Sequence, residues 1–236
     1  MKRNTQVDAE FFKQWSPNMA YILGVVCADG CLVEHGNGYH CLNITSKDLS
    51  WLQEMKHVLQ AAQKISRKER GYQLQIRNQP LYRSLLNLGL TPRKSKTLQL
   101  PAVPSEVFPD FVRGYFDGDG CVRVWREKRW RCGWQLRTIF VSGSAVFVEE
   151  LRRRLSAEAW LAGGSLWFDA RAYYLQYTIG DSLRLADFMY HGGHSTLYLG
   201  RKRERFERFK HLRSCVDQVS IGLTRRTPVG SVSASL

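Results

Sequence analysis

The chain has 236 residues, and its 35 Lys and Arg against 21 Asp and Glu give a formal charge of +14. Apolar residues make up 44% of it, which is enough to bury a core and excludes disorder throughout. No apolar run reaches the roughly 18 residues that a transmembrane helix needs, and the N-terminus lacks the apolar stretch of a secretory signal. We therefore expect an intracellular protein, cytoplasmic or organellar, with no membrane contact and with a polyanionic partner such as a nucleic acid.

One pattern of elements occurs twice in the chain. The segments Tyr21–Gly30 (YILGVVCADG) and Phe111–Gly120 (FVRGYFDGDG) are apolar runs with Gly at the fourth position and Asp-Gly at the end. A strand, a turn that contains Ser and an amphipathic helix follow in both halves, over Cys41–Leu59 and Leu136–Leu155. A further strand then leads into a further helix. Each half is therefore predicted to be helix, two strands, helix, two strands, helix, in an α+β fold.

The predicted strands alternate between apolar and polar residues, as half-buried strands do. Leu74 and Ile76 alternate with Gln73 and Gln75, and a similar alternation runs through 173–179 in the second half. One face of each sheet is therefore expected to cover helices, while the other face, rich in Arg and Gln, is free to contact a polar partner.

The ends of the two halves are marked by composition. Prolines and basic residues over Thr91–Pro109 predict an extended connection, Arg201–Lys210 predicts a final basic helix, and Val219–Leu236 predicts a frayed or disordered end. On this basis the chain divides into an N-terminal segment (1–14), a first half (15–105), a second half (106–212) and a C-terminal tail (213–236) that we expect to be disordered.

The two apolar runs, taken as helices, carry small residues four positions apart. They are Gly24 and Ala28 in the first helix and Gly114 and Gly118 in the second. Such stripes let two helix backbones approach closely, so we predict that the helices pair at a pseudo-twofold interface. Gly30 and Gly120 suit the position that follows the end of each helix.

Asp29 and Asp119 end the two predicted helices, so pairing of the helices places two carboxylates together near the negative ends of two helix dipoles. Each carboxylate then raises the pKa of the other, and a divalent cation between them removes the repulsion. Oxygen ligands favour a hard ion such as Mg²⁺, and metal-bound carboxylates in a basic protein are typical of phosphodiester hydrolysis. The alternative is that Asp and Gly merely end the helices, but two copies in matching contexts favour the metal site.

The stretches ILGVVCADG (22–30) and VRGYFDGDG (112–120) resemble the two signature motifs of single-chain LAGLIDADG homing endonucleases. The stretch LGLTPRKSKTLQLPAVPSEVFP between them resembles the region that these proteins carry ahead of the second motif. The first motif is more degenerate, with Cys27 where the pattern prefers Asp. The resemblance implies a pseudo-symmetric pair of αββαββα units, each with a curved antiparallel sheet that lies in the DNA major groove.

The resemblance also implies an activity, namely a metal-dependent double-strand break with 3′ overhangs at a long, specific DNA site. Asp29 and Asp119 would be the catalytic and metal-binding acids, with Ala28 and Gly118 beside them in a site for two or three Mg²⁺ or Mn²⁺ ions. We expect an intron-encoded enzyme that acts as a monomer, because both repeats are on one chain. Double-stranded DNA is the expected partner, and host intron RNA is a second one.

Lys47 is a further catalytic candidate that rests on the resemblance. Family members often place a Lys or Gln near the end of the second strand, where it organises water around the attacking hydroxide. The second half has Gly143 at the matching position. Arg123 or Gln135 is a candidate replacement there, and slow cleavage of one strand is the alternative. A solvent-exposed turn lysine is an equally good interpretation of Lys47.

Arg and Gln on the polar strand faces are expected to read bases in the major groove, while Lys contacts phosphates. In the first half the candidates are Asn43, Thr45, Arg67, Lys68, Arg70, Gln73, Gln75 and Arg77. In the second half they are Arg123, Arg126, Lys128, Arg129, Arg131, Gln135, Arg137, Gln176 and Thr178. Phosphate contacts are expected from Lys94 and Lys96 on the connection and from Arg201 and Lys202 on the last helix.

A cleavage-inactive nucleic-acid binder on the same fold is the alternative function, either an RNA intron maturase or a transcription regulator. Both acids are retained, which favours the enzyme, although carboxylates can also persist at an interface as helix caps. The six cysteines include no CxxC pair and show no zinc-ligand spacing, so we expect packed, reduced thiols.

Overall fold

The structure is a computed structural model that describes residues 6–34, 36, 38–129 and 133–224. The first half comprises α1 (Pro17–Asp29), β1 (Gly30–Glu34), β2 (His40–Ser46), α2 (Leu49–Val58), β3 (Ile65–Lys68), β4 (Gly71–Ile76) and α3 (Gln79–Asn87). The second comprises α4 (Phe108–Asp119), β5 (Gly120–Arg126), β6 (Trp134–Ser142), α5 (Ala145–Glu158), β7 (Ser165–Asp169), β8 (Ala172–Tyr177) and α6 (Ile179–Tyr190), followed by α7 (Gly200–Thr224). The predicted α+β class and the repeated order of elements are confirmed.

Each half contains one four-stranded antiparallel sheet, ordered β1-β2-β4-β3 in the first and β5-β6-β8-β7 in the second. The sheets match in register, because Gly30 is paired with Ile44 and Gly120 with Phe140. On the inner face of each sheet, buried residues such as Leu74 pack with the helices in one continuous core. The other face, which we call the outer face, carries the alternate residues of each strand.

The helices α1 and α4 pair along the predicted stripes of small residues, and they form the main contact between the halves. A Cβ atom on Gly24 would overlap the carbonyl oxygen of Phe111, and one on Gly114 would overlap the carbonyl oxygen of Tyr21. The two backbones touch at these points, so a side chain cannot be accommodated without separating the helices. The prediction of a close helix pair is thus confirmed.

Gly30 and Gly120 follow the ends of α1 and α4 as predicted, and glycine is needed there for a steric reason. Both residues are extended, with φ of −80° and −86°, so neither uses the left-handed conformation that glycine commonly adopts after a helix. Glycine is needed because a Cβ atom would lie 2.6 Å from the carbonyl oxygen of Val26 or 2.5 Å from that of Phe116. The chain therefore passes directly from each helix into the first strand of its sheet.

The connection between the halves is packed against the second half rather than freely extended. It contains two short 3₁₀ turns, Lys94–Lys96 and Ser105–Val107. The Ser144 hydroxyl donates to the carbonyl oxygen of Leu98 at 2.7 Å, and Arg154 Nη1 donates to that of Val103 at 2.9 Å. The connection is thus fixed along α5.

The predicted final basic helix is present as α7, but it is longer than expected. It continues to Thr224, past residue 213 where the predicted tail begins. Residues 225–236 of that tail lie outside the described residues. Among the described helices, none combines the length and the hydropathy needed to cross a membrane.

Candidate metal centre and nucleic-acid interface

Asp29 and Asp119 occupy the same end of the paired helices α1 and α4, as the sequence predicts. A Cβ atom on Gly118 would overlap the side chain of Ala28 and would lie 3.2 Å from Oδ2 of Asp29, so the Asp29 carboxylate lies against the partner helix. Burial raises the pKa of Asp29 to about 6, and the charge of Asp119 adds to this shift. Burial likewise raises the pKa of Asp119. Because both carboxyl groups resist ionisation, a cation bound between them would stabilise their ionised forms.

Lys94 and Lys202 form a second internally repeated pair at this centre. Lys94 Nζ donates to the carbonyl oxygen of Gly30 at 2.6 Å, and Lys202 Nζ donates to that of Gly120, also at 2.6 Å. Each ammonium therefore binds the backbone at the end of one paired helix, where the helix dipole favours a cation. Both charges also lower the pKa of Asp29, and both lower that of Asp119.

The prediction that Lys94 and Lys202 contact phosphates is not supported by their placement. Their relative exposures are 7% and 5%, and their ammonium groups are engaged by backbone carbonyl groups. Burial lowers the pKa of Lys94 and lowers that of Lys202 to about 8. An Arg precedes both lysines, but this pattern does not mark them, because the exposed Lys68 also follows an Arg.

Lys47 lies in the turn between β2 and α2 and is exposed. It is not among the charges that shift the pKa of Asp29 or of Asp119, so its catalytic role remains a prediction. The absence of a lysine in the second half has a steric reason. A Cβ atom on Gly143 would overlap the carbonyl oxygen of Ser95, because the connection between the halves passes over this position.

The oxygen atoms at the centre suit a hard divalent cation. Within the described residues there is no group of three or more His, Cys, Asp and Glu that could hold a metal ion, so the protein offers two carboxylates here. Mg²⁺ is commonly bound by one or two carboxylates, with water and substrate phosphates as its other ligands. Of the neighbouring positions Ala28 and Gly118, the carbonyl oxygen of Gly118 already accepts a hydrogen bond from Lys202 Nζ at 3.2 Å. Asp29 and Asp119 are the two carboxylates available at the centre, and the places of Ala28 and Gly118 beside the metal stay predictions.

A buried network beside the centre was not anticipated from the sequence. The Tyr21 hydroxyl on α1 donates to Oδ2 of Asp117 on α4 at 2.7 Å and accepts from Trp51 Nε1, also at 2.7 Å. The backbone N–H of Leu199 donates to the same carboxylate oxygen at 2.8 Å. Burial raises the pKa of Asp117 to about 6, although these donors act against the shift. The matching position of α1 is Cys27, so only one of the two signature helices provides this acid.

The outer face of the first sheet carries most of the predicted base-reading residues. Asn43 is paired with Gln75 and Thr45 with Gln73, so all four side chains lie on one face. Lys68, paired with Gly71, shares this face at the edge strand, and Arg77 follows β4 in the same alternation. Arg70 lies in the turn between β3 and β4 and is exposed. Arg67 is paired with Tyr72, which packs on the core, so its predicted place on the polar face is wrong.

The outer face of the second sheet carries the remaining candidates in a similar arrangement. Arg123 is paired with Arg137, Ile139 with Gln176 and Trp125 with Gln135, all on this face. Arg126 is paired with Trp134, which packs on the core, so Arg126 is on the other side of the sheet and its predicted place on the polar face is wrong.

The other predicted contacts lie outside the sheet faces. Lys128 and Arg129 are in the β5–β6 turn, where Arg129 pairs with Glu127, and Arg131 lies outside the described residues. Thr178 is the residue before α6 rather than a strand residue. Lys96 is exposed on the connection, and Arg201 pairs with Asp48 at 3.3 Å while remaining 58% exposed.

The raised pKa of Asp29 predicts how stability depends on pH. Between the ordinary carboxyl value near 4 and about 6, the folded chain binds more protons at Asp29 than the unfolded chain, so stability falls as pH rises. In EDTA, we expect Asp29→Asn to melt about 3–6 °C higher than the original chain at pH 7.5, with a smaller difference at pH 4.5. Thermal denaturation at both pH values measures this. Mg²⁺ should stabilise the original chain more than the variant, and a difference independent of pH would contradict the assignment.

Comparison with solved structures shows which known proteins share this fold. One similar structure is that of the LAGLIDADG meganuclease I-AabMI bound to uncleaved DNA. It is 17% identical to this chain with a TM-score of 0.60, and the match covers 87% of this chain and 93% of that chain. Homing endonuclease I-LtrWI bound to target DNA has 12% identity and a TM-score of 0.55, over 95% and 100% of the chains. I-SmaMI bound to uncleaved DNA with calcium ions has 13% identity and a TM-score of 0.58, over 90% and 95%. No protein-family model and no curated protein matches. The chain therefore has the two-repeat fold of LAGLIDADG homing endonucleases.

Proposed function

We propose that this chain is a site-specific DNA endonuclease that hydrolyses both strands of a duplex at a long target site. The observation that supports this most directly is the meeting of Asp29 and Asp119 at the ends of α1 and α4, between two sheets with polar outer faces. The similar structures I-AabMI and I-LtrWI are bound to DNA, which agrees with a duplex as the partner.

Each residue of the centre has a role in this proposal. Asp29 and Asp119 would hold the proposed two or three Mg²⁺ or Mn²⁺ ions. The ions would activate water and neutralise charge on the leaving oxygen. Lys94 and Lys202 position the ends of the two helices and favour the ionised form of the acids that bind the metal. Lys47 remains a candidate for ordering water in the first half.

The proposal includes a double-strand break with 3′ overhangs by a monomer, since both acids are on one chain. An intron-encoded enzyme of this kind would act wherever its target DNA is kept, in the cytoplasm or an organelle. These finer statements rest on the resemblance of the two motifs and of the connection between them.

The decisive experiment is a selection of cleaved duplexes from a randomised or genomic library by the full chain in Mg²⁺. We expect one long site to be enriched, with ends that sequencing identifies as 3′ overhangs, and no enrichment in EDTA. A chain that enriches bound duplexes but cuts none of them in Mg²⁺ or Mn²⁺ would contradict the enzyme and support a cleavage-inactive binder. A parallel binding assay with host intron RNA tests that second partner.

Binding to the selected duplex should depend steeply on salt, because a basic surface that neutralises phosphates releases their counterions. We expect the affinity to fall by about a thousandfold between 50 and 200 mM salt, as for about six phosphate contacts. Lys96→Ala should reduce the slope of log K against log salt by about 1. Lys13→Ala is the matched control, since Lys13 is ion-paired with Glu10 in the N-terminal segment and should leave the slope unchanged. Equal slopes for Lys96→Ala and the original chain would contradict the predicted phosphate contact.

A further inference from the structure

One row of residues that crosses three strands differs in polarity between the outer faces of the two sheets. In the first sheet this row is Thr45, Gln73 and Ser66, which are paired across β2, β4 and β3. In the second sheet the equivalent row is Val141, Tyr174 and Trp167, paired across β6, β8 and β7. We call these the polar row and the aromatic row. Their equivalence follows from the matched registers, which pair Gly30 with Ile44 and Gly120 with Phe140.

The aromatic row lies at the surface and is not a part of the core. Its three members are absent from the buried cluster and from the residues that pack against it, whereas their strand neighbours Leu166 and Tyr173 do pack there. The rings of Trp167 and Tyr174 stack with 5.3 Å between centroids and 11° between planes, and Trp167 is 39% exposed. The stacking fixes an apolar surface that, among the described residues, does not pack on the core.

The charges around the aromatic row indicate what covers this surface. Arg123 and Arg137 are exposed on the same outer face, and the guanidinium of Arg137 lies 4.9 Å from the ring centroid of Trp125. Gln176, on the same face, is next to the row at β8. An apolar row on a face that also carries amide and cationic groups matches a surface that is both anionic and locally apolar. The major groove of B-DNA has this combination only where thymine exposes its C5 methyl group.

We propose that the aromatic row reads thymine methyl groups in the half-site bound by the second half, whereas the polar row reads its half-site by hydrogen bonds. This rests on the proposed function in so far as the outer faces bind duplex DNA, and it does not require cleavage. The target is then asymmetric in chemistry. One half-site has thymines opposite Val141, Tyr174 and Trp167, and the other has bases that offer hydrogen-bonding edges to Thr45, Gln73 and Ser66.

The test uses the full chain and the duplex selected above, with Ca²⁺ in place of Mg²⁺ to measure binding alone. Four versions of the duplex are compared, with deoxyuridine replacing thymidine in neither half-site, in one, in the other or in both. Deoxyuridine keeps the base pair and removes only the methyl group. We expect one half-site to lose about threefold to fivefold in affinity for each contacted methyl group, the factor that burial of a single methylene corresponds to. The other half-site should be insensitive.

A double variant assigns the sensitive half-site to the aromatic row. Tyr174→Gln with Trp167→Ser replaces the two ring members of the row with the residues of the polar row, and we expect the deoxyuridine effect to shrink to no more than the contribution of Val141. Tyr174→Phe keeps the ring and should keep the deoxyuridine effect. The original chain alone can overturn the proposal, if it binds all four duplexes equally or if its selected site has no thymine in either half. Persistence of the full effect in a folded double variant also overturns it.

The outcomes separate this proposal from the proposed function. A deoxyuridine effect without cleavage in Mg²⁺ would support the aromatic row and contradict the endonuclease. Cleavage without a deoxyuridine effect would support the endonuclease and contradict the role of the aromatic row. A chain that selects no duplex at all would overturn both.

Discussion

Replacing either Asp29 or Asp119 with Asn is expected to reduce cleavage of the selected duplex by at least about a thousandfold, while DNA affinity in Ca²⁺ changes little. The amide retains the shape of the side chain but removes the charge that binds the metal. Loss of folding does not explain the result, because burial raises the pKa of both carboxyl groups, so a neutral amide at either position should not destabilise the fold. Single-turnover cleavage assays and gel-shift titrations measure the two effects separately.

The matched control for this prediction is Asp187→Asn. Asp187 is 59% exposed on α6 and forms an ion pair with Lys210 at 3.5 Å, away from the paired helix ends. We expect it to cleave at the original rate. If Asp29→Asn and Asp119→Asn both retain more than about a tenth of the activity, neither acid holds an essential metal and the proposed centre is wrong.

The largest effect on stability is expected from Gly114→Ala, in the interface between α1 and α4. Alanine normally favours a helix over glycine by about 1 kcal/mol, but here its methyl group would overlap the carbonyl oxygen of Tyr21. Separation of two packed backbones should cost about 3 kcal/mol or more, which corresponds to a fall in Tm of about 6–12 °C. Gly24→Ala should behave in the same way, because its methyl group would overlap the carbonyl oxygen of Phe111.

Gly180→Ala gives the opposite expectation and serves as the control. Gly180 is the second residue of α6, and a Cβ atom there meets no other atom within 4 Å. The same substitution should therefore leave the Tm unchanged or raise it slightly, by reducing the freedom of the unfolded chain. Urea denaturation measures the free energy of unfolding of Gly114→Ala, Gly24→Ala and Gly180→Ala. A Gly114→Ala variant as stable as Gly180→Ala would show that the two helices do not touch as described.

The parts of the molecule that could be predicted from sequence are those that local patterns determine. Alternation of Leu74 with Gln73 and Gln75 identifies the two faces of a strand without any knowledge of its neighbours. The small residues at Gly24 and Gly114 identify the contact between α1 and α4, since few arrangements other than a close backbone approach need them. The paired acids followed from that contact.

The parts that could not be predicted depend on pairing between distant segments. Arg67 and Arg126 were placed on the polar faces because of their charge, but the strand registers put them on the other side. The burial of Lys94 and Lys202 requires knowledge of where the connection and α7 meet the ends of α1 and α4. No short-range pattern distinguishes a lysine that binds a phosphate from one that caps a helix 64 residues away.

The path of the connection between the halves limits how they can be exchanged in chimeric proteins. Residues 94–103 bind the end of α1 through Lys94, yet the same segment lies along α5 and covers Gly143. A graft that joins another first half directly after α3 would leave residues 94–103 with the second half and keep this covering. A junction beyond Val103 would replace it with a foreign connection, against which α5 and Gly143 would have to pack. The second half is therefore not a self-sufficient module, because its surface at α5 and Gly143 is completed by the segment that precedes it in the chain.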